Sequence, residues 1–253
     1  MVYSHIFRVF SVFVLCLSLV ACSTTHDTTL SSQGIYDPLE GTNRAVFAFN
    51  NGVDEAVIDT TVRGYRSVVP GPARSGLRNV LRNVQSPVIF ANQVLQGDAE
   101  GAKNVLLRAS INTLVGFGGV FDFAGAEGIP YEPEDFGQTL AVWGVGHGPY
   151  LVLPFFGGVS LRNAGGIGVD GLSDPLSRYW NNIDEDHLNY TRFGLGYLDL
   201  KDSLYDSLRD LEGNSFDPYA AVRSAYYQNR SSLISDNGRL LSADVTSSFD
   251  EFY

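Results

Sequence analysis

The sequence predicts a mainly α-helical domain interrupted by one short apolar hairpin, and three observations carry that prediction. First, Leu77, Val80, Leu81 and Val84 fall at i, i+3, i+4 and i+7, the spacing of a single helical face. Second, residues 186–211 form a longer helical stretch, with Leu204, Leu208 and Leu211 on one face and Asp202, Asp206 and Asp210 spaced along another. Third, residues 136–161, FGQTLAVWGVGHGPYLVLPFFGGVSL, hold no Asp, Glu, Lys or Arg yet contain six glycines and two prolines. A helix through that stretch would start about 12 kcal/mol behind an alanine helix, although its length alone would suffice to cross a bilayer.

Local signals divide the charge-free stretch into two β-capable arms, residues 139–143 and 150–156, joined by the Gly/Pro knot GVGHGP. Two arms leave backbone groups unpaired, which hydrocarbon does not tolerate without protein or water cover. The segment is therefore expected to be held against the rest of the fold. Both a hairpin at membrane depth and a buried hairpin of an ordinary soluble domain satisfy that requirement.

Residues 1–21 have one cation, Arg8, then an apolar run broken only by Ser11 and Ser18, and a small residue before Cys22. This is a signal-peptide layout, too short for a comfortable span. Leu19-Val20-Ala21-Cys22 resembles the lipobox of bacterial lipoproteins, in which the cysteine is acylated and becomes the mature N-terminus. Cys16 competes, but Leu15 is large for the cleavage position. A cleaved secretory signal with an incidental cysteine is the other reading. If Cys22 is acylated, its chains anchor the protein at about 0.8 kcal/mol per buried CH₂. Disulfides and cysteine-based metal or redox sites are then excluded.

The formal net charge is −11, and the leader carries only Arg8, so the mature chain is acidic without a Lys/Arg block. Nucleic acid is a poor partner for such a chain. Lysine occurs only at 103 and 201; the other mature cations are arginines, suited to bidentate contacts with phosphate or carboxylate.

In chain order, residues 22–35 read as a polar tether and 36–230 as one helical domain. Asp37-Pro38 opens a turn, and Thr42 or Asn43 can cap a helix through Val46, Phe47, Phe49 and Asn50. Phe47 and Phe49 cannot share one narrow stripe, so this helix is deeply buried or faces lipid. Residues 72–84 form the next helix, with Arg74, Arg78 and Arg82 flanking its apolar stripe. Such a stripe suits phosphate-level contacts at a headgroup boundary, and equally a solvated polar face. Asp98 caps a further helix through Ala102, Val105, Leu106 and Ala109, ended by Gly116-Phe117-Gly118-Gly119. Asp174-Pro175 marks a break, and Asp217-Pro218 supplies a cap and first-turn proline for a last helix through Val222, Ala225 and Tyr226. Residues 231–253 form a polar, acidic tail, expected to be mobile.

Catalytic and metal patterns fail to appear: there is no HExxH, CxxC, GxSxG or Walker motif. His187 sits among Asp184, Glu185 and Asp186, the composition of a solvated helix start. Gly166, Gly168 and Gly171 match G-x-G-x-x-G, but without a preceding strand and following helix dinucleotide binding is not expected. The aromatic C-terminus, Phe252-Tyr253, does not make a barrel without serial alternating strands.

Six blocks together resemble the MlaA (VacJ) family of outer-membrane lipoproteins, in the same order. They are YDPLEGTNRAVFAFNNGVD, VPGPARSGLRNVLRNVQSP, NQVLQGD, INTLVGFGGVFDFAG, DFGQTLAVWGVGHGPYLVLPFFG and SFDPYAAVRSAYYQ. The chain departs from the family at Arg162-Asn163, where Arg-Asp is usual, so a salt bridge through that Asp cannot form. The resemblance implies a compact helical ring in the inner leaflet of the outer membrane, on its periplasmic face. It implies a passive pore that removes mislocalised phospholipids from the outer leaflet. Implied partners are a trimeric porin and a soluble periplasmic phospholipid carrier serving an ATP-driven inner-membrane complex; no catalytic residue, metal or cofactor beyond the Cys22 lipid is implied.

On this footing the segment from Trp143 to Tyr150, with Gly144, Gly146, Gly148 and Pro149, is expected to form part of the pore wall or its gate. Phe47, Phe49 and Asn50 are expected to line or brace the lipid route, and Arg74, Arg78 and Arg82 to contact headgroups. An envelope scaffold that moves no lipid, and a lipid hydrolase, are the alternatives; co-purification with phospholipid separates the first, release of fatty acid or lysolipid the second.

Overall fold

The computed structural model describes residues 35–235. The signal segment 1–21, Cys22, the tether and the tail beyond residue 235 lie outside the described residues. Residues 35–235 fold mainly as helices, with one two-stranded sheet.

Helix α1 spans Glu40–Val53 and passes through a π-helical turn, Asp54–Ile58, directly into α2, Asp59–Val68. Neither Thr42 nor Asn43 caps α1: the helix begins at Glu40, and Asn43 is buried within it. Its side chain is committed elsewhere, donating to Asp37 Oδ1 at 2.7 Å and to Tyr150 O at 3.0 Å.

Helix α3, Gly71–Gln96, overruns the expected end at residue 84 and continues through Pro87. Its second half buries Val88, Ile89, Asn92 and Gln93, and that packing outweighs the hydrogen bond lost at the proline. Gly97 ends it at φ 81, and Asp98 accepts from Glu100 N and Gly101 N to start α4, Ala99–Leu114, as expected. The Gly-rich turn after α4 takes Phe117, Gly118 and Gly119 to positive φ. Asp122 then caps the single-turn α5, Phe123–Ala126.

The charge-free stretch folds differently from expectation. Its first part is a helix, α6, Phe136–Val142, because Asp135 accepts from Gln138 N and fixes the first turn. A short apolar run cannot tell a strand from a buried helical segment by pattern alone. The hairpin lies one step later: β1, Tyr150–Leu153, pairs antiparallel with β2, Gly157–Ser160, from Tyr150 opposite Ser160 to Leu153 opposite Gly157. Its turn is Pro154-Phe155-Phe156, with Phe155 at φ 68 and Gly157 at φ 83. GVGHGP is thus the connection from α6 to β1.

Ser160 caps α7, Leu161–Ser173, and Asp174 caps α8, Pro175–Asn182. The G-x-G-x-x-G glycines lie inside α7, after β2, where Gly166 crosses α6: a Cβ on it would come within 2.3 Å of Gly137 N. Gly166 serves close helix packing, a Cβ on Gly168 or Gly171 would meet nothing within 4 Å, and the three form no phosphate loop. Helix α9 spans Asp186–Asn214, and α10, Pro218–Ile234, is capped by Asp217. The last helix therefore runs past residue 230.

The apolar core joins the hairpin to both ends of the described chain: Tyr150 and Val152 pack with Tyr219 and Tyr227 of α10, flanked by Ile35, Val46, Phe47 and Tyr226. Among the described residues, buried polar and charged side chains outnumber buried apolar ones, while large apolar side chains such as Leu114, Phe117, Phe156, Leu172 and Phe193 stand exposed. This inverts the usual partition. No described helix is long and apolar enough to cross a membrane.

Candidate functional site

The hairpin's open edge is closed by side chains of α1. Asn43 donates to Tyr150 O at 3.0 Å and accepts from Val152 N at 2.9 Å. Asn50 repeats the pattern, donating to Leu153 O at 3.0 Å and accepting from Phe155 N at 2.8 Å. Seven helical residues rise about 10.5 Å, and three strand residues span about 10 Å, so the two asparagines meet the strand in register. Helix α1 thus acts as a third strand along the β1 side, supplying partners for four backbone groups of residues 150–155.

Asn50 is therefore a brace. Phe47 packs edge-on against Tyr219 at 5.6 Å, and Phe49 against Phe155 of the turn at 5.6 Å. The turn continues outward as an aromatic cluster, since Phe156 contacts Phe193, Phe193 stacks on Tyr197, and Tyr197 Oη donates to Phe155 O at 3.0 Å.

Beside it runs the loop formed by residues 143–149. Trp143 is 54% exposed and donates Nε1 to Leu95 O at 3.1 Å, edge-on to Phe136. Gly144 and Gly148 take φ of 87 and 66, conformations that side chains resist, and a Cβ at Gly144 or Gly146 would meet open space. Arg162 latches this loop, donating to Val145 O at 3.0 Å and lying 3.2 Å from His147 Nδ1. Burial and the nearby Arg162 and Arg230 guanidiniums push the His147 imidazole down to about 4. Its other neighbour is Tyr227, edge-on at 5.2 Å.

Asn163 follows Arg162 in the first turn of α7. It donates to Tyr226 Oη at 2.5 Å and accepts weakly from Arg162 Nε at 3.4 Å. Arg230 pairs with Asp135 at 2.6 and 2.9 Å and binds α10 to the start of α6.

Arg74 and Arg78 of the α3 arginine stripe face α9. Asp202, 2% exposed, receives Arg66 at 2.5 Å and Arg74 at 2.9 Å, with Arg78 3.7 Å away. Arg78 also pairs with Asp199 at 3.0 Å, and Arg82 lies 4.5 Å over the Tyr131 ring. Burial alone would raise the Asp202 carboxyl, but the hydrogen bonds from Arg66 and Arg74 outweigh it and hold the group below the usual carboxylate range. Arg74 and Arg78 are thus engaged within the fold rather than presented as free phosphate ligands. Lys201 with Asp54 at 2.7 Å, and Arg209 with Asp59, extend the same seam along α9. Sequence reasoning placed Asp202 and the arginines on helices but could not pair them across more than a hundred residues. The seven-residue spacing of Asn43 and Asn50 was the visible trace of the brace.

The family model for "MlaA lipoprotein" matches residues 35–233. The chain is 37% identical over 226 residues to the "Intermembrane phospholipid transport system lipoprotein MlaA" of Escherichia coli (strain K12), covering 88% of this chain and 86% of that one. It is 32% identical over 228 residues to the protein of the same description from Haemophilus influenzae, covering 89% of each. A solved structure described as "Structural basis for maintenance of bacterial outer membrane lipid asymmetry" superposes with a TM-score of 0.69 at 35% identity, covering 79% of this chain and 100% of that one.

Proposed function

The chain belongs to the MlaA lipoprotein family, and on that premise we propose that it removes mislocalised phospholipids from the outer leaflet of the outer membrane and passes them to a periplasmic carrier. In this reading Cys22 is the acylated anchor, the domain is a ring seated in the inner leaflet beside a trimeric porin, and lipid crosses passively. The observation that carries the reading is the inverted partition of the domain: polar groups inside, large apolar groups outside. An apolar rim suits acyl chains, and a polar interior suits headgroups.

The physical need for such a passage is plain. Moving a charged phosphodiester through hydrocarbon costs several kcal/mol or more, because the charge loses its water. A polar route through a disc in one leaflet lowers that barrier and leaves the tails against apolar walls. No bond is broken and no nucleotide is consumed; the downstream carrier supplies direction. The loop of residues 143–149, hinged at Gly144, Gly146 and Gly148 and latched by Arg162, is the proposed gate.

The test is lipid analysis of the purified full-length protein. Intact diacyl phospholipid co-purifying with it, with no fatty acid or lysolipid released on incubation, supports transport. Protein that carries no phospholipid favours a scaffold, and lysolipid release abolished by one point mutation establishes a hydrolase.

A further inference from the structure

Between the π-helical turn, the start of α2 and the middle of α9 lies a cleft of about 240 Å³, lined by Ile58, Thr61, Gly194, Tyr197, Leu198 and Lys201. We propose that this cleft binds one acyl chain of a diacyl phospholipid; the proposal rests on the transport reading above and adds where a tail is held.

The walls are almost wholly apolar, and the one charge at the cleft is neutralised, because Lys201 Nζ is bound by both Asp54 oxygens at 2.7 and 2.8 Å. A headgroup finds no free cation there, whereas a hydrocarbon chain finds an apolar wall. A water occupies about 30 Å³ of liquid and a methylene is of similar size, so the cleft suits a chain segment; a peptide helix, about 10 Å across, does not fit.

The cleft is also continuous with the exposed aromatic tip of the hairpin. Tyr197 belongs to both: it lines the cleft, stacks on Phe193, and donates to Phe155 O. A tail in the cleft would therefore emerge beside Phe155 and Phe156. The π-helical turn breaks an otherwise continuous helix where the cleft begins, and such insertions concentrate at functional sites. Gly194 costs α9 about 1 kcal/mol relative to Ala, yet a Cβ there would meet nothing within 4 Å. The missing side chain keeps the cleft open.

That open space supplies the test. Full-length protein in nanodiscs of phosphatidylethanolamine, doped with a phosphatidylethanolamine bearing a mid-chain diazirine, is irradiated and its labelled peptides are mapped. Wild type is expected to label at residues 58–61 and 197–198. Gly194→Leu, which favours the helix while filling the cleft, is expected to lower that labelling about tenfold, equivalent to about 1.4 kcal/mol. Gly196→Leu, on another face of the same helix, is expected to leave it unchanged. Equal labelling in Gly194→Leu, or label only at other segments of a lipid-binding protein, overturns the cleft and leaves transport standing. Label at the cleft only in a Cys22→Ala chain would mean that the protein's own anchor occupies it, and also overturns the proposal. No label anywhere defeats both readings.

Discussion

Asn50 Oδ1 accepts the backbone N–H of Phe155 at 2.8 Å, across 105 residues of sequence, at a turn residue held at φ 68. With Asn43 it converts an open strand edge into a closed one, which is what lets so apolar a hairpin stand beside so much exposed aromatic surface.

Replacing Asn43 by alanine removes the partner of Tyr150 O and Val152 N, and replacing Asn50 removes that of Leu153 O and Phe155 N. Each substitution is expected to cost about 1–3 kcal/mol, lowering the melting temperature by roughly 2–4 °C for each kcal/mol in a domain of this size. Thermal unfolding followed by circular dichroism reads this; an unchanged midpoint in both variants would show that the α1 ladder does not support the hairpin.

Two adjacent glycines in α7 are expected to behave oppositely. A Cβ on Gly166 would sit 2.3 Å from Gly137 N, whereas one on Gly165 would meet nothing within 4 Å. Gly165→Ala should be neutral or stabilise by up to about 1 kcal/mol through helix propensity, while Gly166→Ala should push α6 and α7 apart and destabilise. Denaturant midpoints of the pair decide; equal midpoints would contradict the close crossing.

The same contrast explains what the sequence discloses. Asp98 and Asp217 were legible as helix starts because a cap acts on a backbone N–H two or three residues away, whereas Asp174, which also caps a helix, read only as a break. The mainly helical class and the Gly-rich end of α4 were legible for the same local reason. The hairpin was foreseen but misplaced, since Asp135 turns residues 136–142 into helix and moves the turn to Pro154-Phe155-Phe156. Asn43 read as a cap because its actual partners, Tyr150 and Val152, lie more than a hundred residues away. The arginine stripe read as surface for the same reason: periodicity locates a face but does not name the helix that covers it.

Asp202→Asn removes the shared partner of Arg66, Arg74 and Arg78. Arg66 keeps Asp206 and Arg78 keeps Asp199, so what is lost is a set of hydrogen bonds to a charged group, about 1.5–3 kcal/mol, and lower stability is expected, together with faster proteolysis between α9 and the rest. Stability within about 1 kcal/mol of wild type would mean that the seam is a surface network without structural weight.

Acid should weaken the loop around His147. Its imidazole titrates at about 4 in the fold against 6.5 ordinarily, so the unfolded chain binds the proton more readily. This contribution is intact above about pH 6.5, is lost progressively as pH falls toward 4, and is fully lost below that. His147→Phe, which keeps an aromatic edge for Tyr227 and cannot charge beside Arg162 and Arg230, should flatten the stability profile between pH 6.5 and 4. An unaltered profile would exclude His147 as the source.

The most direct measurement of the central claim is surface-exposed phospholipid in cells lacking the gene, complemented with wild type or with Cys22→Ala. The account predicts that deletion raises outer-leaflet phospholipid, that wild type restores the low level, and that Cys22→Ala does not. Outer-leaflet phospholipid unchanged by the deletion would contradict it.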